Sequence, residues 1–191
     1  RWGPVNSAEI SRLAEVLAEA GSEEAEVFLM LLRDMQPIEA AAIEARLRMM
    51  QGNYDDAARL VEQALVGLRT DPWPAPNVMA RAISTAVSLA STDRALAMRM
   101  LAATSRPFVA GQWEEERKEE RVNIAWSSEL GCGSNTVAAL RALEPHVPWT
   151  EEHLRRRRQC YARAGLNDLF AKADAEWEEY MRSRPQPLIE R

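Results

Sequence analysis

The stretch from Gly52 to Leu65 constrains the fold more than any other part of this chain. Gly52 opens a turn, Tyr54 follows two residues on, and Ala57, Val61 and Ala64 recur on one helical face. Small residues at that spacing suit a close helix–helix approach, because larger side chains would hold the two axes apart. The glycine supplies the left-handed backbone that a tight turn between helices asks for. The stretch therefore reads as the second helix of a hairpin. A lone hairpin cannot bury its apolar face, so neighbouring hairpins must cover it.

The rest of the chain agrees with that reading. Glycine and proline are sparse and fall at intervals, and no alternating run of β-branched residues appears. Ten helices are predicted, at about 7–20, 22–35, 37–51, 54–69, 77–90, 93–104, 112–130, 134–143, 150–164 and 167–182. Pro37 suits a first helical turn, and Asp93 and Thr150 are placed as N-caps. The segment Thr70-Asp71-Pro72-Trp73-Pro74-Ala75-Pro76 is a firm break. The helices group into pairs at about 7–35, 37–69, 77–105, 112–143 and 150–182, in one domain over 1–191. Turns within the pairs fall near Gly21, Gly52, Thr92, Gly133 and Gly165, at spacings of 31, 40, 41 and 32 residues.

The Gly52–Leu65 pattern resembles the second helix of a tetratricopeptide repeat (TPR). In helix nine, Leu154, Tyr161 and Gly165 stand at the relative spacing of that family's first-helix Trp, its Tyr and its turn Gly. Elsewhere the likeness thins. Glu44 and Arg48 stand where the family usually has Leu and Tyr, Ile43, Leu47 and Met50 are shifted by one, and Thr92 lacks the turn glycine. The resemblance implies an all-α fold: a right-handed superhelical stack of about five antiparallel helix pairs. It also implies a non-catalytic protein–protein interaction scaffold, an accessory module of a larger bacterial protein. The large excess of arginine over the two lysines, Lys118 and Lys172, is consistent with GC-rich bacterial coding. The chain opens on Arg1 rather than Met, and is read as a fragment or processed piece of a longer protein.

Composition excludes several classes of function. A net charge of -5 gives no general case for binding nucleic acid, since neutralising phosphates needs a basic footprint. The longest apolar candidate, Ala25 to Leu32, is interrupted by Glu26 and ends at Arg33, so no membrane insertion is expected. No signal peptide is recognised. The two cysteines, Cys132 and Cys160, are too few for a disulfide framework or a zinc site. They are expected as reduced thiols, which favours a cytoplasmic setting. No cofactor or metal is expected.

Three constellations invite a chemical reading. Gly131-Cys132-Gly133-Ser134-Asn135 sets a cysteine at a helix N-terminus, where amide donors favour a thiolate or could cradle an anion. Set against this, the glycines serve a helix-breaking turn with positive φ, and His146 and His153 lie on other segments. A small ligand-binding or cysteine-hydrolase-like domain built on the Gly131–Ser134 turn is therefore the alternative function. Glu114 to Arg121 reads as a solvated face, with Lys118 and Arg121 expected to answer the acids of the run. The tryptophans at 2, 73, 113, 126, 149 and 177 read as wedges between helices.

The arginine run Arg155-Arg156-Arg157-Arg158, followed by Gln159 and Arg163, carries the partner expectation. In one reading it is a solvated helix whose stems cover apolar neighbours, with Glu151 and Glu152 pairing to Arg155 and Arg156. In the other, Arg155, Arg156, Gln159 and Arg163 line a groove and receive an acidic protein or peptide.

Overall fold

The computed structural model describes residues 6–183. Within them lie ten α-helices: α1 (Ser7–Glu19), α2 (Ala25–Met35), α3 (Pro37–Met50), α4 (Tyr54–Arg69), α5 (Pro76–Ala90), α6 (Arg94–Ala103), α7 (Glu114–Glu129), α8 (Ser134–Ala142), α9 (Glu151–Arg163) and α10 (Asn167–Ser183). A short 3-10 turn, Gly111–Trp113, leads into α7. No strand occurs among the described residues. The protein is all-α.

Local chemistry accounts for the helix ends. Asp93 accepts the Leu96 N–H at 2.9 Å and Thr150 accepts the His153 N–H at 3.4 Å, the caps read from the sequence. Asn6 caps α1 through the Glu9 N–H at 3.0 Å. The turns at Gly21, Gly52 and Gly165 share one geometry, with φ of 68°, 79° and 66°. Each closes with a 6→1 bond, from Ser22 to Leu17, Asn53 to Arg48 and Leu166 to Tyr161, at 2.9, 2.8 and 3.0 Å. The turn after α7 differs from expectation. Leu130 takes the left-handed position with φ 51° and is exposed, while Gly133 is extended with φ -130°. The Gly131 N–H closes that turn on the Trp126 carbonyl at 2.9 Å.

Substantial helix contacts join elements that are neighbours or next-neighbours in the chain. The broadest is α3 against α4, where Ala41, Ala42 and Ala45 share one core cluster with Ala57, Ala58, Val61 and Ala64. At the other end of that contact, a side chain at Gly67 would come within 2.7 Å of Ile38. The α3 helix is buried on two sides. Ala40, Ile43 and Leu47 pack with α1 and α2, while Ala41, Ala42 and Ala45 pack toward α4 and α5. Its apolar residues therefore occupy no single stripe, which explains why the expected repeat positions look displaced there.

Charged side chains finish several joints. Arg117 and Arg121 of α7 donate to the Thr104 and Leu101 carbonyls at 2.6 and 2.7 Å, and Arg69 reaches the Ala103 carbonyl. Three arginines thus supply donors to the unsatisfied C-terminal end of α6. Arg121 does not answer the acids of α7 as expected, because Arg117 and Lys118 stand four and three residues before it, whereas Lys118 pairs with Glu115 at 2.8 Å. Trp126 packs against the core as expected, but Trp73 is 87% exposed and wedges nothing. Trp2 lies outside the described residues.

Candidate functional site

Four consecutive helical residues point around the whole circumference, about 100° apart. The arginine run of α9 is distributed accordingly. Arg157 is fully buried: its Nε donates to Glu144 at 2.6 Å, its Nη1 pairs with Glu176, and its guanidinium lies 5.7 Å from the Tyr161 ring. Arg158 pairs with Asp174 of α10. Arg156 turns toward α7, donating to Asn123 at 2.7 Å and lying 4.8 Å from the Trp126 ring centre, with Glu152 as its ion-pair partner. Arg155, Gln159 and Arg163 are exposed and follow at four-residue intervals along one strip. Of the four residues expected to line a groove, three share a surface. Arg156 instead joins α9 to α7.

The buried arginine went unremarked in the sequence, although a signal was there. Arg157 lies three residues after Leu154 and four before Tyr161, so it falls on the apolar stripe of α9. Its partners answer for its charge. Burial pushes the Glu144 carboxyl up, but hydrogen bonds from Lys172 and Arg157 outweigh it and hold the group below its ordinary value. Burial beside Glu144 pushes the Tyr161 phenol up to about 12. His153, buried at the start of α9, is lowered by burial and then by Arg156 and Arg157.

The Gly131–Ser134 turn holds two surprises. Cys132 and Cys160 are joined as a disulfide, with Cα atoms 5.0 Å apart across a sequence separation of 28, and neither cysteine is free. This overturns the expectation of two reduced thiols and removes the argument that placed the chain in the cytoplasm. Spacing could not reveal a single pair; the packing of α8 beside α9 brings the two residues within bonding reach. The second surprise is Glu129. Its carboxylate accepts the N–H groups of Asn135 and Thr136 at 3.2 and 3.0 Å and the Thr136 hydroxyl at 3.2 Å. The amides that could have cradled a foreign anion therefore hold one of the chain's own. Burial raises the Glu129 carboxyl, and these donors more than reverse the effect, leaving it lowered. Gly133 makes room for this cap, since a side chain there would collide with the Glu129 carboxylate.

Beside the disulfide lies a cavity of about 450 Å³ between α8 and α9. Cys132, Cys160, Val137 and Leu166 form part of its wall, and Arg141 and Arg163 stand at its edge. Among the described residues, no His, Asp or Glu lines it. Arg141 did not emerge from the sequence, where it is one arginine among many. No group of residues suited to a metal ion occurs among the described residues, and no helix there is long and apolar enough to cross a membrane. No protein-family model matches the chain, and comparisons with curated proteins and with solved structures likewise found no match.

Proposed function

We propose that this protein is a protein–protein interaction scaffold of stacked helical hairpins, tetratricopeptide-like, serving as an accessory module of a larger bacterial protein. The observation that carries this reading is the contact pattern, in which helices pack on those one or two places along the chain. Hairpins connected in that way form layers, and a layered stack presents the same helix of successive hairpins along one extended surface. The shared closure at Gly21, Gly52 and Gly165 is further support, because it repeats one hairpin geometry. A right-handed superhelical course belongs to the same proposal.

The partner of this scaffold is a protein or peptide with an acidic segment, held along Arg155, Gln159 and Arg163. Guanidinium groups give forked hydrogen bonds to carboxylates, and a local basic strip on a protein of net charge -5 is selective for such a segment. The alternative, a ligand-binding or cysteine-hydrolase-like domain, needed a free Cys132 thiol and open amides in the turn. That sulfur is bonded to Cys160 and those amides hold Glu129, which favours the scaffold.

Fluorescence anisotropy with a labelled glutamate-rich peptide and its glutamine counterpart tests the site. The acidic peptide should bind more tightly, lose affinity as salt rises, and lose it again in the Arg155→Glu/Arg163→Glu double variant. Equal binding of both peptides, or unchanged binding by a folded double variant, would remove the strip as the partner surface.

A further inference from the structure

We propose that the cavity between α8 and α9 is a thiol-exchange site, taking a small thiol that carries carboxylates and passing its electrons to the Cys132–Cys160 disulfide. This inference does not rest on the scaffold reading. It comes from four features that meet at one place. Both cysteines line the cavity, although Cys160 belongs to the packed core and Cys132 packs against it. Cys132 is half-buried while Cys160 is wholly buried, so the sulfur within reach is that of Cys132. Arg141 and Arg163 are exposed at the edge, and neither forms an ion pair among the described residues. Among the described residues no acidic side chain lines the cavity, and the Glu129 carboxylate behind the Gly133–Ser134 wall is held by the Ser134 hydroxyl and the Asn135 and Thr136 N–H groups.

The volume suits a molecule of a few residues, within the ordinary range of small-ligand sites. Two unpaired guanidinium groups at the edge would hold its carboxylates and raise the local concentration of its thiolate. The reaction balances as thiol–disulfide exchange. The incoming thiolate attacks Cys132 Sγ, and the bond between the two protein sulfurs breaks. The electron pair departs on Cys160 Sγ, which takes a proton from water. Cys132 is left in a mixed disulfide with the small molecule. A second thiolate then attacks the small molecule's sulfur and releases Cys132 as a thiolate. Two small thiols are oxidised to their disulfide, and one protein disulfide is reduced to two thiols.

The consequence is structural as well as chemical. Contact between α8 and α9 is thin beside that of other successive helices, so the disulfide is the covalent tie that secures the last hairpin there. Opening it would loosen α9 and α10 from the layers before them.

The experiment measures reduction of the intact, folded protein by glutathione, which carries two carboxylates. Neutral 2-mercaptoethanol and cationic cysteamine are compared at equal thiolate concentration. Samples are quenched with N-ethylmaleimide and weighed by mass spectrometry. The expected result is a rate about tenfold higher for glutathione, falling toward the neutral thiol's rate at high salt. Mercaptosuccinate, a carboxylated thiol without peptide bonds, should share the advantage, and the trapped adduct should map to Cys132. The Arg141→Gln/Arg163→Gln variant should lose the advantage, its rate with glutathione falling several-fold further than its rate with 2-mercaptoethanol, whose thiolate carries the smaller negative charge. Equal rates for the three thiols, an advantage indifferent to salt, or an adduct on Cys160 would overturn the proposal. If the double variant does not fold, the salt series on the unaltered protein decides the matter alone.

Discussion

The Nε of Arg157 donates to the Glu144 carboxylate at 2.6 Å from a guanidinium with no solvent exposure. Glu144 also receives Lys172 at 3.0 Å and the Tyr161 hydroxyl at 3.2 Å, so one carboxylate gathers groups from α9 and α10. A buried pair of this kind adds little over a well-packed apolar pair, but removing one member leaves a charge unanswered. Arg157→Ala should therefore cost about 3 kcal/mol, read as a lower urea midpoint. Arg155→Ala, on the exposed strip, should change the midpoint little.

The same cluster sets a dependence on pH at both extremes. Glu144 is held below its ordinary value of 4.5, so its contribution to stability is present above that value and fades as pH falls through the lowered one. Tyr161 is raised from 10.0 to about 12, so its contribution is whole below pH 10.0 and is lost as pH rises toward about 12. Denaturant unfolding across pH should show both limbs. Tyr161→Phe should remove the alkaline one and leave the acid one in place.

The disulfide should count in stability as a constraint on the unfolded chain. For a closed loop with a sequence separation of 28, loop entropy amounts to about 3–4 kcal/mol. Cys132→Ser should lower the urea midpoint accordingly, and the unaltered protein treated with strong reductant should match it. Identical midpoints with and without reductant would show that the tie carries no such energy.

Ala57 sits with no exposure in the α3–α4 contact, among Ala41, Ala42 and Ala45. Ala57→Leu should destabilise by about 1–3 kcal/mol, because the added methylenes must push the two helices apart. An unchanged midpoint would mean that the contact yields more easily than its packing implies.

Glu129 offers a test of the turn before α8. Replacing it by alanine strands the Asn135 and Thr136 N–H groups and should cost about 1 kcal/mol. Gly133→Ala should cost a similar amount, since its new side chain would displace the same carboxylate.

Helix positions were legible because the signals are local. Asp93, Thr150, Pro37, Gly52 and Gly165 act on residues within one turn of themselves, and each stands at the boundary read from it. The turn near Gly133 was read less well. Leu130 adopts a conformation that glycine favours, with φ 51°, and no local signal in the sequence marks it for that position. Part of the candidate strip was legible too: a four-residue interval puts Arg155, Gln159 and Arg163 together whatever surrounds the helix.

The amino-acid sequence by itself determined that this chain is helical, where its helices start and stop, and which residues share a helix face, because these follow from backbone geometry over a few residues. The tertiary structure alone decided which faces meet. It placed Arg157 in the interior and Arg155 outside it, turned Arg156 onto Trp126, brought Glu129 to the amides of α8, and joined Cys132 to Cys160. Those outcomes depend on distances through space between segments far apart in the chain, and helical periodicity carries no information about such distances.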